Sequence, residues 1–411
     1  MSERPLLVVK FGGTCVADAD ARRAASETVR GLAAAARPVV VVSAPGRAGS
    51  PYATDTLLEL GRESVSEGDP AELDALASCG EIISAALLAL CLQGLGLQAR
   101  SLTGARAGIR TDGRWGRARI TGVDPSPLME LVSGGVVPVV AGFQGEAEGR
   151  LATLGRGGSD LTAVALAAAL RAPALILTDV DGVYSADPRL VRKAHRLPSL
   201  SYEDAALLAY RGAKVLHPRA AELAAEQGIE VTIARSGDPE GGTEIGAGPP
   251  GDEDGDPVSE PFHLGGVTSL SDRYQFTVDL DGTDPGTVSL QADLLLQGLA
   301  EEGISLDMIS MDEDTLRFTV DVSYSDGTRR VAEGSGLASS ERGPCAKVSV
   351  VGGGMHGRPG VMARMVRALH GEGIPVLQSV DSYNVISCLI PGAREEAAVR
   401  TLHRSFFESS G

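Results

Sequence analysis

The sequence predicts an α/β protein with a mainly parallel sheet between helices, followed by two smaller α+β modules. Three observations carry this. Over roughly the first 235 residues, continuous apolar runs alternate with Ala/Leu-rich helical segments; after Arg235 the texture turns Gly-, Pro- and acid-rich; and beyond that break one rhythm occurs twice. The apolar runs Leu6–Val9, Pro38–Ser43, Val136–Phe143 and Ala174–Thr178 read as strands buried on both faces. Stretches 71–95, 160–171 and 203–226 read as the helices between them. The segment GDPEGGTEIGAGPPGDEDGDPVSEP has too little apolar surface to order fully and reads as a linker, at least in part. Each repeat after it runs strand, Pro-Gly turn (Pro285-Gly286, Pro359-Gly360), amphipathic helix, Gly-Ile (Gly303-Ile304, Gly373-Ile374) and strand, in a βαββαβ order. The division expected is 1–236, a linker 237–262, and paired modules over 263–411.

Composition excludes several classes of function. With 411 residues and 43% hydrophobic content, the chain can form two or three domains, each with its own core. A formal charge of −17 argues against nucleic acid or an anionic membrane as partner. No run of about 18 apolar residues and no secretory signal is read, so a soluble cytoplasmic protein is expected. The five cysteines, at 15, 79, 91, 345 and 388, are scattered without C-x-x-C spacing and suggest neither a disulfide framework nor a zinc site.

Five stretches could carry chemistry. VVKFGGTCVAD, Val8 to Asp18, ends a strand in Lys10 and a Gly-Gly turn, with a helix to follow. The glycines allow close backbone approach, and a helix N-terminus favours an anion. The order differs from the Walker pattern, whose lysine follows its glycines. SCGE, Ser78 to Glu81, sets a carboxylate on a helix. LGRGGSDLTA, Leu154 to Ala163, brackets Arg156 with glycines and delivers Ser159 and Asp160 to a helix start, where the guanidinium offers bidentate carboxylate recognition. TDVDGVYSADPR, Thr178 to Arg189, is an acidic turn able to border a nucleotide, and GAKVLHP brings Lys214 near a helix end. Alone, each also reads as an ordinary turn, cap or surface charge.

Together, in this order, KFGGTC, SCGE, GRGGSD, TDVDGVYSADPR and GAKVLHP resemble the signatures of aspartate kinases, members of the amino-acid kinase family with C-terminal ACT modules. SAPGRAGSPYATDTLL, LTGARAGIRTD and VVAGFQG look like the diaminopimelate-sensitive type found in bacilli. The resemblance implies an amino-acid kinase fold that phosphorylates the β-carboxylate of L-aspartate with ATP and Mg²⁺, the metal riding on the nucleotide and no dedicated metal site. Carried over residue by residue, Lys10 and Asp160 would be catalytic, Lys10 stabilising the γ-phosphoryl and Asp160 organising Lys10. Arg156 would grip the α-carboxylate and Glu81 the ammonium, with Thr54, Gly157, Gly158 and Ser159 completing the aspartate site. Lys10, Phe11, Gly12, Gly13, Thr178, Asp179, Tyr184, Arg189, Lys214 and Val215 would hold ATP, the Gly12 and Gly13 amides cradling phosphate. The tail implies an amino-acid effector (lysine, threonine or diaminopimelate) and a homodimer or higher homo-oligomer through the ACT modules.

The chain departs from the family pattern in three places. Cys15 replaces a serine beside the phosphate loop and reads as a bystander there, the alternative being that a helix N-terminus lowers its pKa and makes it oxidisable. Leu151-Ala152-Thr153 replaces a threonine run. Ser305, Met311 and Asp312 depart from the Asn and Gln residues of lysine- and threonine-responsive relatives. A rival motif, G-x-G-x-x-G at Gly352, Gly354 and Gly357 with Asp381 downstream, suits a dinucleotide site on paper, but only 30 residues follow Asp381, too few for such a sheet. The remaining alternatives to a feedback-regulated aspartate kinase are a related kinase with another substrate and a catalytically weak amino-acid sensor.

Overall fold

The computed structural model describes the chain except residues 1–3, 65–67, 214–215, 248–263, 281, 283, 354, 356–358 and 409–411. The chain divides into two compact units. The first comprises the described residues of 1–183, 196–210 and 214–250; the second, those of 184–195, 211–213 and 251–411.

The first unit is built on an eight-stranded sheet whose centre is Leu6–Phe11. That strand pairs in parallel with Arg37–Val42 on one side and Ala174–Thr178 on the other. Val137–Ala141 and Ala99–Leu102 extend the first side, again in parallel. Continuous Val and Leu suit these strands because helices cover both faces. The helix Ala19–Ala35 starts at Asp18, whose carboxylate accepts the Ala21 N–H at 2.8 Å. Asp69 caps Pro70–Gly94, with proline at the first position, where a missing N–H costs nothing. This 25-residue helix is long and apolar enough to cross a membrane, although Glu81 interrupts its apolar run. Its apolarity answers to packing: Ala85, Leu88, Ala89 and Leu92 share one core with Val40, Val42 and Val139 of the sheet. A second sheet, of four short strands from Ile109–Thr111, Ile120–Val123, Gln144–Ala147 and Arg150–Thr153, was not foreseen, since strands of three or four residues leave little periodicity to read.

Two expectations need correction here. The helix expected over 203–226 is two, Tyr202–Tyr210 and Pro218–Gln227. Gly212 sits at φ +115°, outside helical space, and Pro218 opens the second helix behind an N-capping His217. The expected linker begins as structure: Asp238–Gly246 is a strand of the main sheet, antiparallel to Val231–Arg235, with Thr243 and Ile245 buried. Its polar composition concealed it, because only alternate side chains face the core. The rest of that segment, from 248, lies outside the described residues.

In the second unit all six strands are antiparallel neighbours in one sheet. The two βαββαβ modules share strands rather than standing in tandem. Gly266–Asp279 and Ser339–Val351 pair along their length through a bulge near Asp272, which lies at φ +55°. Val267 joins one core, with Val348, Val350 and Met365; Phe276 and Val278 join the other, with Leu295, Leu299 and Phe318. The glycine fingerprint after Val351 therefore follows a strand with antiparallel neighbours on both sides, unlike a dinucleotide-binding βαβ unit. Gly354 and Gly357 themselves are outside the described residues.

Candidate functional site

Lys10 occupies the C-terminal end of the central strand, nearly buried, with Nζ 2.7 Å from Asp160 Oδ1. Asp160 stands in the first turn of Gly158–Leu170, where the helix dipole favours a carboxylate. Its Oδ2 accepts the His217 N–H at 3.2 Å. Charges this far from water persist only in company, so Asp160 fixes Lys10 and the His217 amide helps fix Asp160. Burial lowers the His217 pKa, keeping that ring neutral.

The Gly-Gly turn works differently from the expectation. The Gly12 N–H is spent on the Leu177 carbonyl at 2.9 Å, so it does not cradle phosphate in this arrangement. Position 13 is glycine for proximity: a Cβ there would lie 2.6 Å from the Ala44 carbonyl oxygen and 2.7 Å from that of Gly46. Gly46 N–H also donates to the Gly13 carbonyl at 2.9 Å. The Phe11 side chain is fully buried in the core and takes no part in a nucleotide site; only its backbone borders the corner. Cys15 is buried, its Sγ 3.7 Å from the Leu177 carbonyl oxygen. Loss of solvent pushes its thiol pKa up, outweighing the bonds from Ser236 and Thr14 and the charge of Lys10. Of the two readings, bystander and activated thiol, burial favours the first, because the single short turn Gly13–Val16 that holds Cys15 contributes less than burial removes.

The loop after Arg37–Val42 links this corner to Glu81. Ala44, whose carbonyl abuts Gly13, donates its N–H to Glu81 Oε1 at 3.1 Å. Gly80 permits the approach: a Cβ there would meet the Tyr52 carbonyl oxygen at 2.4 Å and the Ala44 Cβ at 2.8 Å. Glu81 is only 2% exposed, and its Oε2 has no hydrogen-bond partner among the described residues. Desolvation raises its pKa to about 8, against the opposing pull of the Ala44 N–H and the Thr54 hydroxyl. A buried carboxylate with one open oxygen is a receptor for a cation. Thr54 opens the helix Thr54–Ser64 beside it.

In GRGGSD, Gly155 and Gly157 take φ of +75° and +71°. A Cβ on Gly157 would fall 2.0 Å from the His217 ring, and one on Gly158 2.8 Å from Phe143. Ser159 is buried, its side chain close enough to Gly142 that a Cβ there would lie 2.9 Å from it. Arg156 is exposed and has no hydrogen bond or ion pair among the described residues. On the nucleotide side, Thr178 ends its strand and donates its hydroxyl to Asp179 at 3.0 Å. Tyr184 and Arg189 belong to the second unit, and Arg189 forks onto Asp187 at 2.6–3.1 Å. Lys214 and Val215 lie outside the described residues.

Three positions escaped the sequence reading. Asp74, buried on the same helix as Glu81, accepts the Thr153 N–H (2.6 Å), the Thr153 hydroxyl (2.8 Å) and the Gly116 N–H (2.9 Å), tying down the strand that leads into GRGGSD. The signal was present: 74 and 81 are seven apart, one face of a helix otherwise apolar there. Arg47 pairs with Asp179 at 2.5 Å and places a cation beside the acidic turn. His217 sat unused within GAKVLHP; its amide role depends on a tertiary approach.

Comparison with known proteins agrees with this architecture. The Amino acid kinase family matches residues 5–235, and an ACT domain matches 340–404. The class is thus an amino acid kinase joined to an ACT domain. Aspartokinase 1 of Bacillus subtilis (strain 168) is 38% identical over 98% of both chains. The crystal structure of E. coli aspartokinase III in complex with aspartate and ADP (R-state) is similar with a TM-score of 0.76 at 28% identity, covering 98% of this chain and 100% of that one. The same enzyme in complex with lysine and aspartate (T-state) gives a TM-score of 0.73 at 27% identity, covering 98% and 99%. The chain belongs to the aspartokinase family.

Proposed function

We propose that this chain transfers the γ-phosphoryl group of ATP to the β-carboxylate of L-aspartate in the cytoplasm, forming 4-phospho-L-aspartate, the first step of aspartate-family amino-acid biosynthesis. The observation that carries this is the buried Glu81 carboxylate, open at one oxygen and joined through Ala44 and Gly13 to the strand that bears the Lys10–Asp160 pair. An ammonium group on Glu81 satisfies that oxygen. Arg156, free of described partners, takes the α-carboxylate in a planar fork. The β-carboxylate then needs no general base, being ionised at neutral pH. Lys10, held by Asp160, neutralises charge on the moving phosphoryl group. Thr178 and Asp179, at the end of the strand beside Lys10, border the nucleotide. Among the described residues no three His, Cys, Asp or Glu come together as a metal cage. Mg²⁺ arrives on the triphosphate, which needs at most one or two carboxylates.

Residues 1–236 are read as the catalytic part and the C-terminal modules as the regulatory part, binding an amino-acid effector and pairing with a second copy. Ile309 and Met311, exposed on the edge strand Asp307–Met311, support such pairing. ADP release coupled to L-aspartate, run beside L-glutamate, tests the activity; no release with aspartate overturns the reading. Arg156→Lys keeps the charge and loses the fork, so KM for aspartate is expected to rise about tenfold or more while KM for ATP stays within about twofold. Equal effects on both would move Arg156 to the nucleotide side.

A further inference from the structure

Two neighbouring strands of the first unit each send one side chain to the helix Pro70–Gly94, one helical turn apart. Thr153, at the end of Arg150–Thr153, gives Asp74 Oδ2 its N–H at 2.6 Å and Asp74 Oδ1 its hydroxyl at 2.8 Å. Gln144, opposite Thr153 in the antiparallel pair, donates its side-chain amide to the Ser78 carbonyl at 3.2 Å. Ser78 closes the circuit by donating its hydroxyl to the Asp74 carbonyl at 2.7 Å. The Gly116 N–H adds a further bond to Asp74 Oδ2 at 2.9 Å. Asp74, Ser78, Gln144 and Thr153 are all exposed by 3% or less, so water cannot stand in for a lost partner and the set is held stiffly.

This circuit lies between the two arms of the aspartate site. Glu81 follows Ser78 by three residues on the same helix, and Arg156 follows Thr153 by three. The hairpin is tied on its other side as well. Phe143, at φ +70°, donates its N–H to Thr162 Oγ1 at 3.1 Å, and its carbonyl takes the Leu154 N–H at 2.8 Å. Thr162 belongs to Gly158–Leu170, the helix that carries Asp160. One hairpin thus joins the helix of Glu81, the loop of Arg156 and the helix of Asp160.

We propose that Asp74, Ser78, Gln144 and Thr153 are positioning residues that set the spacing of Glu81 and Arg156, and thereby the length of the amino acid that the enzyme takes. The inference rests on the reading that Glu81 and Arg156 hold the ammonium and the α-carboxylate. Both of those groups are bonded to one carbon, so two receptors at a fixed spacing decide where that carbon sits and how its side chain points. The distal carboxylate then meets the Lys10–Asp160 pair at one chain length only. One methylene is worth on the order of 10- to 200-fold in a pocket that does not give. A loosened spacing loses part of that factor, admitting glutamate at the expense of aspartate.

The test uses the full-length enzyme and ADP release, reading KM for aspartate, KM for ATP and the inhibition constant of L-glutamate as a competitor of aspartate. Thr153→Val removes the hydroxyl and keeps the N–H; Gln144→Met removes the amide at similar length. Each is expected to raise KM for aspartate about five- to tenfold, to narrow the preference for aspartate over glutamate at least about fivefold, and to leave KM for ATP within about twofold. Asp74→Ala is expected to do the same more strongly. Asp74→Asn is the conservative variant: its amide oxygen accepts both N–H groups while its NH₂ donates to the Thr153 hydroxyl, so the preference returns toward that of the unaltered enzyme. Thr153→Val and Gln144→Met keep the test available should Asp74→Ala fold poorly. An unchanged preference in those two variants overturns the inference, as do equal losses for aspartate and ATP, which mark a general weakening. Glu81→Gln and Arg156→Lys separate the two levels. If they raise KM for aspartate while the circuit variants do not, only the circuit's role is wrong; if they too leave it unchanged, the reading of the two arms falls and the circuit's role with it.

Discussion

Lys10→Ala is expected to lower kcat by about 10³-fold or more, the scale of losing a charge clamp in phosphoryl transfer. The structure adds a second consequence. Lys10 and Asp160 are both largely buried, 2.7 Å apart, so removing the lysine leaves a carboxylate without its counter-ion. Breaking a buried pair from one side costs about 3–5 kcal/mol, most of it the orphaned charge. The variant should therefore melt earlier as well as lose activity. Lys10→Met with Asp160→Asn separates the two effects: a neutral amide can still accept the His217 N–H, so the melting temperature returns toward that of the unaltered protein while turnover stays lost. Near-normal turnover in Lys10→Ala would remove this corner from the chemistry. Recovery of turnover in the double variant would make the lysine a structural ion only.

Glu81→Gln should have the next largest effect, raising KM for aspartate about 10²-fold with little change in KM for ATP, since a desolvated charge pair is lost from one substrate alone. It also removes a pH dependence of stability. The folded-state pKa of Glu81, about 8, lies above its ordinary value of 4.5, because burial disfavours the ionised form. Its contribution to stability is fully present below the unfolded pKa and is lost as pH rises through 8. Without aspartate, the Gln variant should match the parent near pH 5 and exceed it near pH 9 by an amount on the order of a few kcal/mol. Aspartate acts in the opposite direction: its ammonium favours the ionised carboxylate, so binding expels a proton and KM for aspartate falls as pH rises from about 6 to 8. Calorimetry in buffers of different ionisation enthalpy reads that proton directly. Binding without proton release, or stability curves of the two proteins that run parallel with pH, would mean that Glu81 is not the ammonium receptor.

How far the site was legible depended on whether a residue's role is local. Lys10 at a strand end before Gly-Gly and Asp160 at a helix start are set by turn and cap chemistry that operates within a few residues, and both stand where their motifs put them. Glu81 was legible as a candidate but not as a group with a raised pKa, because its burial depends on tertiary neighbours such as the loop at Ala44, 37 residues away in the chain. Cys15 reads from the sequence as a bystander whose local helix argues for a lowered pKa, and only the surrounding core shows that burial overrules the helix. Gly12 was misread because nothing in Lys-Phe-Gly-Gly says that its N–H will be taken by Leu177 on the adjacent strand.

By itself the sequence determined the α/β class, the central parallel strands, the starts of the helices at Pro70 and Gly158 to within two residues, and the ordered motifs of an aspartokinase, since apolar periodicity, caps and glycine turns act over short spans of chain. Only the tertiary structure decided that Asp238–Gly246 is a strand, that the C-terminal modules share two long strands, and that Thr153 and Gln144 are held by Asp74 and Ser78. Each of those joins residues far apart in the chain. Such pairings are selected by which buried polar groups and apolar faces find partners after the chain has closed on itself, and no local pattern encodes the partner.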